Sequence, residues 1–107
     1  MRSVNPSHLS ARRWALPLVV LACTGCGNAL YAVQANSASG KLEEAHELGA
    51  EQYAPYEYYY AKEHLQKAQS EAAEADYSDA VDLAATSEEY ADKAIRLARE
   101  AHRGAGR

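Results

Sequence analysis

Cysteine, phenylalanine and excess positive charge are scarce or missing in this sequence of 107 residues. There is no Phe, and two Cys are too few for the disulfide framework that small secreted domains use in place of a large core. Eleven Lys and Arg stand against 15 Asp and Glu, which gives a formal net charge of −4. This acidic balance argues against nucleic-acid binding, because phosphates require a basic face. The length allows a single small domain.

Sequence patterns for catalysis and metal binding are also missing. The chain has no glycine-rich phosphate loop, and its serines lack the G-x-S-x-G context of a nucleophile. Glu43 and His46 form a Glu-x-x-His unit like those of di-iron helical bundles, but such sites need a second unit. Neither His64 nor His102 has a Glu three residues before it. We therefore expect no enzyme activity, no cofactor and no metal, and we interpret His46 as solvent-facing.

The N-terminal segment has the features of an export signal. Residues 1–13 contain three Arg and no acidic residue, and an apolar run begins at Trp14 and extends for 12 residues through Gly25. This run is too short for a membrane-spanning helix, which needs about 20 residues, but it suits the apolar region of a signal peptide. Pro17 disfavours the alternative of a buried core helix. We therefore predict that residues 1–25 are a signal peptide.

The end of this segment resembles a bacterial lipobox, where signal peptidase cuts before a cysteine that receives a lipid. Both cysteines fit, since Cys23 follows Val-Leu-Ala and Cys26 follows Thr-Gly. Lipidation of Cys26 is preferred, because the alternative, lipidation of Cys23, would leave Cys26 as a stray thiol in an oxidising compartment. Gly27 rather than Asp follows Cys26, which by resemblance to enterobacterial sorting favours the outer membrane over the inner membrane. We expect a lipid-anchored protein of the cell envelope that faces the periplasm.

The remaining chain predicts helices and no strands. Residues 26–107 contain 20 Ala in 82 residues and carry a net charge of −7, and their β-branched residues are few. Apolar and small residues recur every three or four positions in three segments, which predicts an all-α fold. The expected architecture is an Ala-rich three-helix antiparallel bundle or a long helical hairpin. With so few large apolar residues, this fold should be marginal alone and stabilised by Tyr or by a partner.

The same spacing gives the expected helix boundaries. The first stripe runs from Tyr31 to Gln52, the second helix opens at Pro55, and the third follows a cap at Asp76 or Ser78. The third stripe comprises Ala80, Leu83, Ser87, Tyr90, Ala94, Leu97 and Ala101, widened by Ala84, Ala91 and Ala98. We assign residues 41–103 to the helical domain and residues 104–107 to a disordered tail. Residues 26–40 are either a lipidated tether or the start of the first helix.

Tyrosine is the one conspicuous side chain, with five of the eight tyrosines between residues 53 and 60. At 100° per residue these rings cannot all face the core of a helix. They either fill the space that Ala leaves, or they form a contact surface for a protein or a glycan. The candidate partner surface consists of Tyr53, Tyr56, Tyr59 and Tyr60.

Several of these segments resemble a bacterial envelope family, the domain of unknown function numbered 4398. The resemblance covers about residues 26–102. It is carried by Leu42-Glu43-Glu44-Ala45, by Gly49-Ala50-Glu51-Gln52-Tyr53-Ala54-Pro55, and by Asp76-Tyr77 with the Ala-rich helix that follows. The resemblance implies an envelope location and, through the peptidoglycan-binding domains of some relatives, a cell-wall or outer-membrane setting. It implies no mechanism.

Together these features suggest a non-catalytic structural or adaptor lipoprotein that packs its helices against a partner. That partner would be an envelope protein or a peptidoglycan-associated protein, and self-association is a further possibility. The alternative is a small module that binds glycan, peptidoglycan or another ligand through the Tyr53–Tyr60 cluster.

Overall fold

The computed structural model describes the backbone of residues 7–106 and the side chains of residues 26–106. Within this range the chain forms four helices and no strand: α1 (Ser7–Glu47), α2 (Ala50–Tyr53), α3 (Pro55–Ala73) and α4 (Tyr77–Ala105). The predicted all-α fold is therefore confirmed. The predicted signal peptide, with Cys23, lies outside the residues whose side chains are described.

The first helix ends earlier than its stripe predicts. The stripe continues through residue 52, whereas α1 ends at Glu47 and a separate short helix, α2, follows. Gly49 causes the break, because its φ of 74° lies in the left-handed region that favours glycine. Its N–H donates to the carbonyl of His46 at 2.9 Å, which closes the helix end. Upstream, the backbone of residues 26–40 is helical throughout.

The later boundaries agree closely with the sequence. Pro55 is the first residue of α3, as predicted. Asp76 rather than Ser78 caps α4, since its carboxylate accepts a hydrogen bond from the Asp79 N–H at 3.4 Å. At its other end α4 continues to Ala105, two residues beyond the predicted end at residue 103.

The three long helices run up, down and up. Polar contacts between α1 and α4 join Gln34 with Glu88 and Lys41 with Asp92, pairs that are 54 and 51 positions apart in sequence. Because this difference stays nearly constant as both helices advance, α1 and α4 are parallel. The antiparallel α3 packs against α4, where the Ser87 hydroxyl donates to the Ala61 carbonyl at 2.6 Å. The structure is therefore the three-helix bundle rather than the hairpin.

Small side chains fill the interface between the helices. On α4 the buried small residues recur at spacings of four and three, and Ile95 is buried beside them: Ala80, Ala84, Ser87, Ala91, Ala94 and Ala98. All six belong to the predicted stripe or to its widening, whereas Leu83, Tyr90 and Leu97 of that stripe are only half-buried at its edges. Ser87 is the largest side chain that is fully buried in the described part of the chain. The core thus brings helix backbones close together and encloses little volume.

Candidate aromatic surface

Tyr58 belongs to the core and not to the candidate surface. Its ring is 7 % exposed and packs in the cluster that contains Ala54, Ala94 and Ile95. Burial and a hydrogen bond to Glu51 raise the pKa of the Tyr58 hydroxyl. For Glu51, the partner in this contact, hydrogen bonds from His46 and Tyr58 hold the pKa of the carboxyl below its usual range.

Four rings on the outside of α3 and α4 form what we call the aromatic strip, Tyr56, Tyr60, His64 and Tyr90. The Tyr60 ring is its centre, with centroid distances of 4.0 Å to the stacked His64 ring, 4.2 Å to Tyr90 and 5.7 Å to Tyr56. The Nδ1 of His64 lies 2.9 Å from the Tyr60 carbonyl. Because a carbonyl only accepts, Nδ1 is the donor in this contact.

The strip ends in a cation on one side and in an open aromatic face on the other. The Lys93 ammonium lies 4.1 Å from the centroid of the Tyr90 ring and is also bound to Glu89 at 2.7 Å. That hydrogen bond raises the pKa of Lys93, and the ammonium over the face of the Tyr90 ring makes a cation–π contact. Tyr56 remains 65 % exposed. The four rings therefore form one continuous row of ring contacts across α3 and α4.

An open groove of about 460 Å³ continues from the strip between α3 and α4. On the α3 side Lys67 forms an ion pair with Glu71, and this contact raises the pKa of the lysine. On the α4 side the groove is lined by Asp79, Asp82 and Leu83, among others. Its shape suits contact with another surface and does not enclose a small molecule.

The other predicted surface tyrosines lie elsewhere. Tyr53 meets the edge of the His102 ring at 4.9 Å, at the end of the bundle that contains α2. His102 is fixed there by its Nε2, which donates to the Leu48 carbonyl at 2.8 Å. Tyr59 is exposed and stands edge-on to Tyr58 at 5.2 Å. The structure thus brings together two of the four predicted tyrosines, Tyr56 and Tyr60.

His64 and Tyr90 were missed as members of the surface. The i, i+4, i+8 spacing of Tyr56, Tyr60 and His64 on one helix is a signal that could have identified one edge of the strip. Tyr90 reaches the strip from α4, and that contact depends on how α3 and α4 are aligned.

The remaining candidate groups lie outside the core. His46 is exposed, as predicted, and pairs with Glu51 at 3.0 Å. Cys26 is also exposed, on the part of α1 that follows the predicted signal. Over the side chains that the structure describes, no three His, Cys, Asp or Glu residues converge as a metal site requires. None of the helices, over the same described range, has the combined length and apolarity needed to cross a membrane.

Fold and surface together define an all-α domain. Its helices meet along the small buried side chains of α4, which we call the alanine seam, and the aromatic strip lies on the outside. The chain belongs to the family described as domain of unknown function DUF4398, which matches residues 33–105. The match covers α2, α3, α4 and about the last third of α1. No curated protein and no solved structure matches the chain.

Proposed function

We propose that this protein is a non-catalytic lipoprotein of the bacterial envelope that faces the periplasm, with the outer membrane as its location. It acts as a structural or adaptor element and binds a protein partner through the aromatic strip. The observation that carries this proposal is the position of the large side chains. The seam holds Ala and Ser. Three tyrosines of α3 lie at the surface or are only half-buried, namely Tyr56 and Tyr60 of the aromatic strip and Tyr59 outside it.

The seam favours contact over catalysis. Helix backbones held together by alanine leave no space for a dry pocket in which charged groups could be activated. Tyrosine, by contrast, is enriched at the centres of protein interfaces, because it buries a large area at a low cost in side-chain entropy. The strip is fixed before binding by the stacking around Tyr60, which reduces that cost further.

The anchor is proposed from the sequence before Cys26. The basic segment, the short apolar run and the small residues ahead of the cysteine fit a lipoprotein signal. The exposure of Cys26 is compatible with a lipid on its sulfur.

Crosslinking in intact cells followed by mass spectrometry tests the adaptor role. We expect the Tyr56→Ser variant to lose its main crosslinked partner while circular dichroism shows an unchanged helix content. Tyr59→Ser is the matched control, since Tyr59 is an exposed tyrosine of the same helix outside the strip. Equal losses in both variants, or an unchanged partner in Tyr56→Ser, would contradict binding through the strip. The same spectra show whether Cys26 or Cys23 carries the lipid.

A glycan-binding module is the second candidate, and the exposed ring of Tyr56 beside a groove with carboxylates favours it. Sugars stack on free aromatic faces and bond to polar groups at the rim. However, His64 and Tyr90 already lie against Tyr60, so the strip offers less free ring area than its size suggests. Co-sedimentation of the purified protein with peptidoglycan separates the two functions. Retention that Tyr56→Ser abolishes would support the glycan module.

A further inference from the structure

An apolar face of α1 lies uncovered next to the proposed anchor. We call it the anchor face and define it by Cys26, Leu30 and Val33. Leu30 is 57 % exposed and Val33 is 66 % exposed. Spacings of four and three residues place the three side chains within an arc of about 60° on the helix. Two large aliphatic side chains therefore project into solvent on the same side as the cysteine.

The opposite side of the same two turns is held by the bundle. The Tyr31 ring lies 6.4 Å from the Tyr77 ring of α4. At Gly27 even an added Cβ would come within 3.2 Å of the Tyr77 Cβ, so α1 and α4 are in close contact from this residue onward. No flexible tether separates Cys26 from the folded domain, and the direction of the anchor face is fixed relative to the rest of the bundle.

Charge shows how far the anchor face extends. Residues 27–40 contain no Asp, Glu, Lys, Arg or His, a stretch of about 21 Å of helix. The first charged residue is Lys41, and further along this side of α1 Glu44 forms an ion pair with Arg99. An uncharged and partly apolar surface next to the anchor thus gives way to an ionic one about two to three turns away, where the Glu88 carboxylate of α4 meets Gln34 and Ser37. That change suits a helix that leaves the edge of a bilayer for water.

We propose that the anchor face lies against the lipid bilayer, with Leu30 and Val33 at the boundary between headgroups and acyl chains. The inference rests on the proposed lipid anchor at Cys26. The apolar run that precedes Cys26 in the chain argues for lipid rather than for a second copy as the occupant. That run delivers the chain to the membrane, and after its removal the proposed lipid on Cys26 holds this face of α1 at the bilayer.

Such contact fixes the orientation of the bundle. The turn between α3 and α4, residues 74–76, lies near the membrane, because Tyr77 is level with Gly27 and Tyr31. Tyr90 follows Tyr77 by 13 residues, so α4 carries the aromatic strip about 20 Å further along its axis. The end of the bundle that contains α2 lies furthest from the lipid. A partner that binds the aromatic strip would then do so at a fixed distance from the membrane.

Site-directed fluorescence on the full lipidated chain tests this orientation. When Cys26 carries the lipid and Cys23 has left with the signal, an introduced cysteine is the sole thiol. We would label Val33→Cys with an environment-sensitive dye and reconstitute the protein in vesicles of phosphatidylethanolamine and phosphatidylglycerol, three to one. Asn28→Cys is the control, since Asn28 is exposed about 160° around the helix from Cys26 and lies closer to the anchor than Val33, so nearness to the anchor alone would favour position 28. We expect a blue-shifted emission and quenching by spin-labelled lipid at position 33 but not at position 28.

Each other outcome overturns a defined part of the inference. If mass spectrometry finds the lipid on Cys26 while both labels report water, the bilayer contact is wrong and the anchor stands. Lipid exposure of both labels would mean an upright inserted helix and would refute a one-sided face. Disulfide-linked dimers of unlabelled Val33→Cys would identify a second copy as the occupant. A Cys26 without lipid would refute both the inference and the proposed anchor.

Discussion

Replacement of Ser87 by Leu should strongly destabilise the bundle, because α3 leaves no room at this position. The Ser87 side chain is fully buried, and its hydroxyl lies 2.6 Å from the Ala61 carbonyl. The atoms nearest to the added methyl groups are therefore backbone atoms of α3, which cannot rotate away as a side chain can. Overpacking of this kind costs about 1–3 kcal/mol, and the lost hydrogen bond adds about 0.5–1.5 kcal/mol. We therefore expect Ser87→Leu to lower the free energy of unfolding by about 2–4 kcal/mol in total.

Thermal unfolding followed by circular dichroism measures this cost. For a domain of this size each kcal/mol lowers Tm by about 4–8 °C, so Ser87→Leu should lower Tm by about 10–25 °C. Ser70→Leu is the matched control, because Ser70 is an exposed serine within α3 and its replacement should change stability by less than about 0.5 kcal/mol. A Ser87→Leu variant as stable as the unmodified chain would show that the helices are not closely apposed at this point.

Four further predictions concern the turn, the tyrosines, the acid response and the need for a partner. Gly49→Ala should lower the free energy of unfolding in urea by about 1–2 kcal/mol, because Gly49 has a positive φ. Gly40→Ala should raise it by about 0.5–1 kcal/mol, because Gly40 lies in the interior of α1 with open space around it. Tyr58→Ala should cost about 3–5 kcal/mol and Tyr59→Ala less than about 1 kcal/mol in the same assay, since only the first ring is buried. Hydrogen bonds from its lysine and serine partners lower the pKa of Glu88 below 4.5, so its stabilisation is present above pH 4.5 and lost as pH falls through the folded-state pKa. Glu88→Gln should therefore flatten the decline of Tm with acid, and an unchanged decline would refute that assignment. Finally, if the bundle is marginal alone, its melt should depend on protein concentration or on an added partner, and a stable, concentration-independent melt at micromolar levels would contradict this.

Local chemistry in the sequence was sufficient to predict much of the fold. Pro55 and Asp76 mark helix starts because one lacks a donor that would be unpaired there and the other accepts a free backbone N–H. Gly49 carried an equally local signal, but the small-residue stripe continues across it, and periodicity alone does not register a single left-handed residue. The end of α1 was therefore predicted five residues too late.

The surface was less predictable, because it depends on contacts between helices. Periodicity places tyrosines on a helix face but does not say which partner helix faces them. Tyr58 and Tyr59 are neighbours in sequence, yet one is buried and the other exposed. Tyr90 completes the aromatic strip only because α3 and α4 are aligned as they are. The small residues at the centre of the α4 interface were all in the predicted stripe, but periodicity did not show that Leu83, Tyr90 and Leu97 would be less buried than they are.

An alanine seam raises the question of what sets the alignment of the helices. Knobs of Leu or Ile fit particular holes and resist sliding, whereas methyl groups repeated every three or four residues present nearly the same surface after a shift of one heptad. Polar contacts along the α1–α4 edge supply the missing specificity. Glu88 accepts hydrogen bonds from Gln34 at 3.0 Å and from Ser37 at 2.8 Å, and Lys41 binds both Glu88 and Asp92. A slide by one heptad would break all of these contacts at once, while most alanines of α4 would again meet small side chains. The half-buried polar edge therefore specifies the alignment of α1 with α4, whereas the alignment of α3 with α4, on which the aromatic strip depends, has its own polar contact in the hydrogen bond from Ser87 to the Ala61 carbonyl.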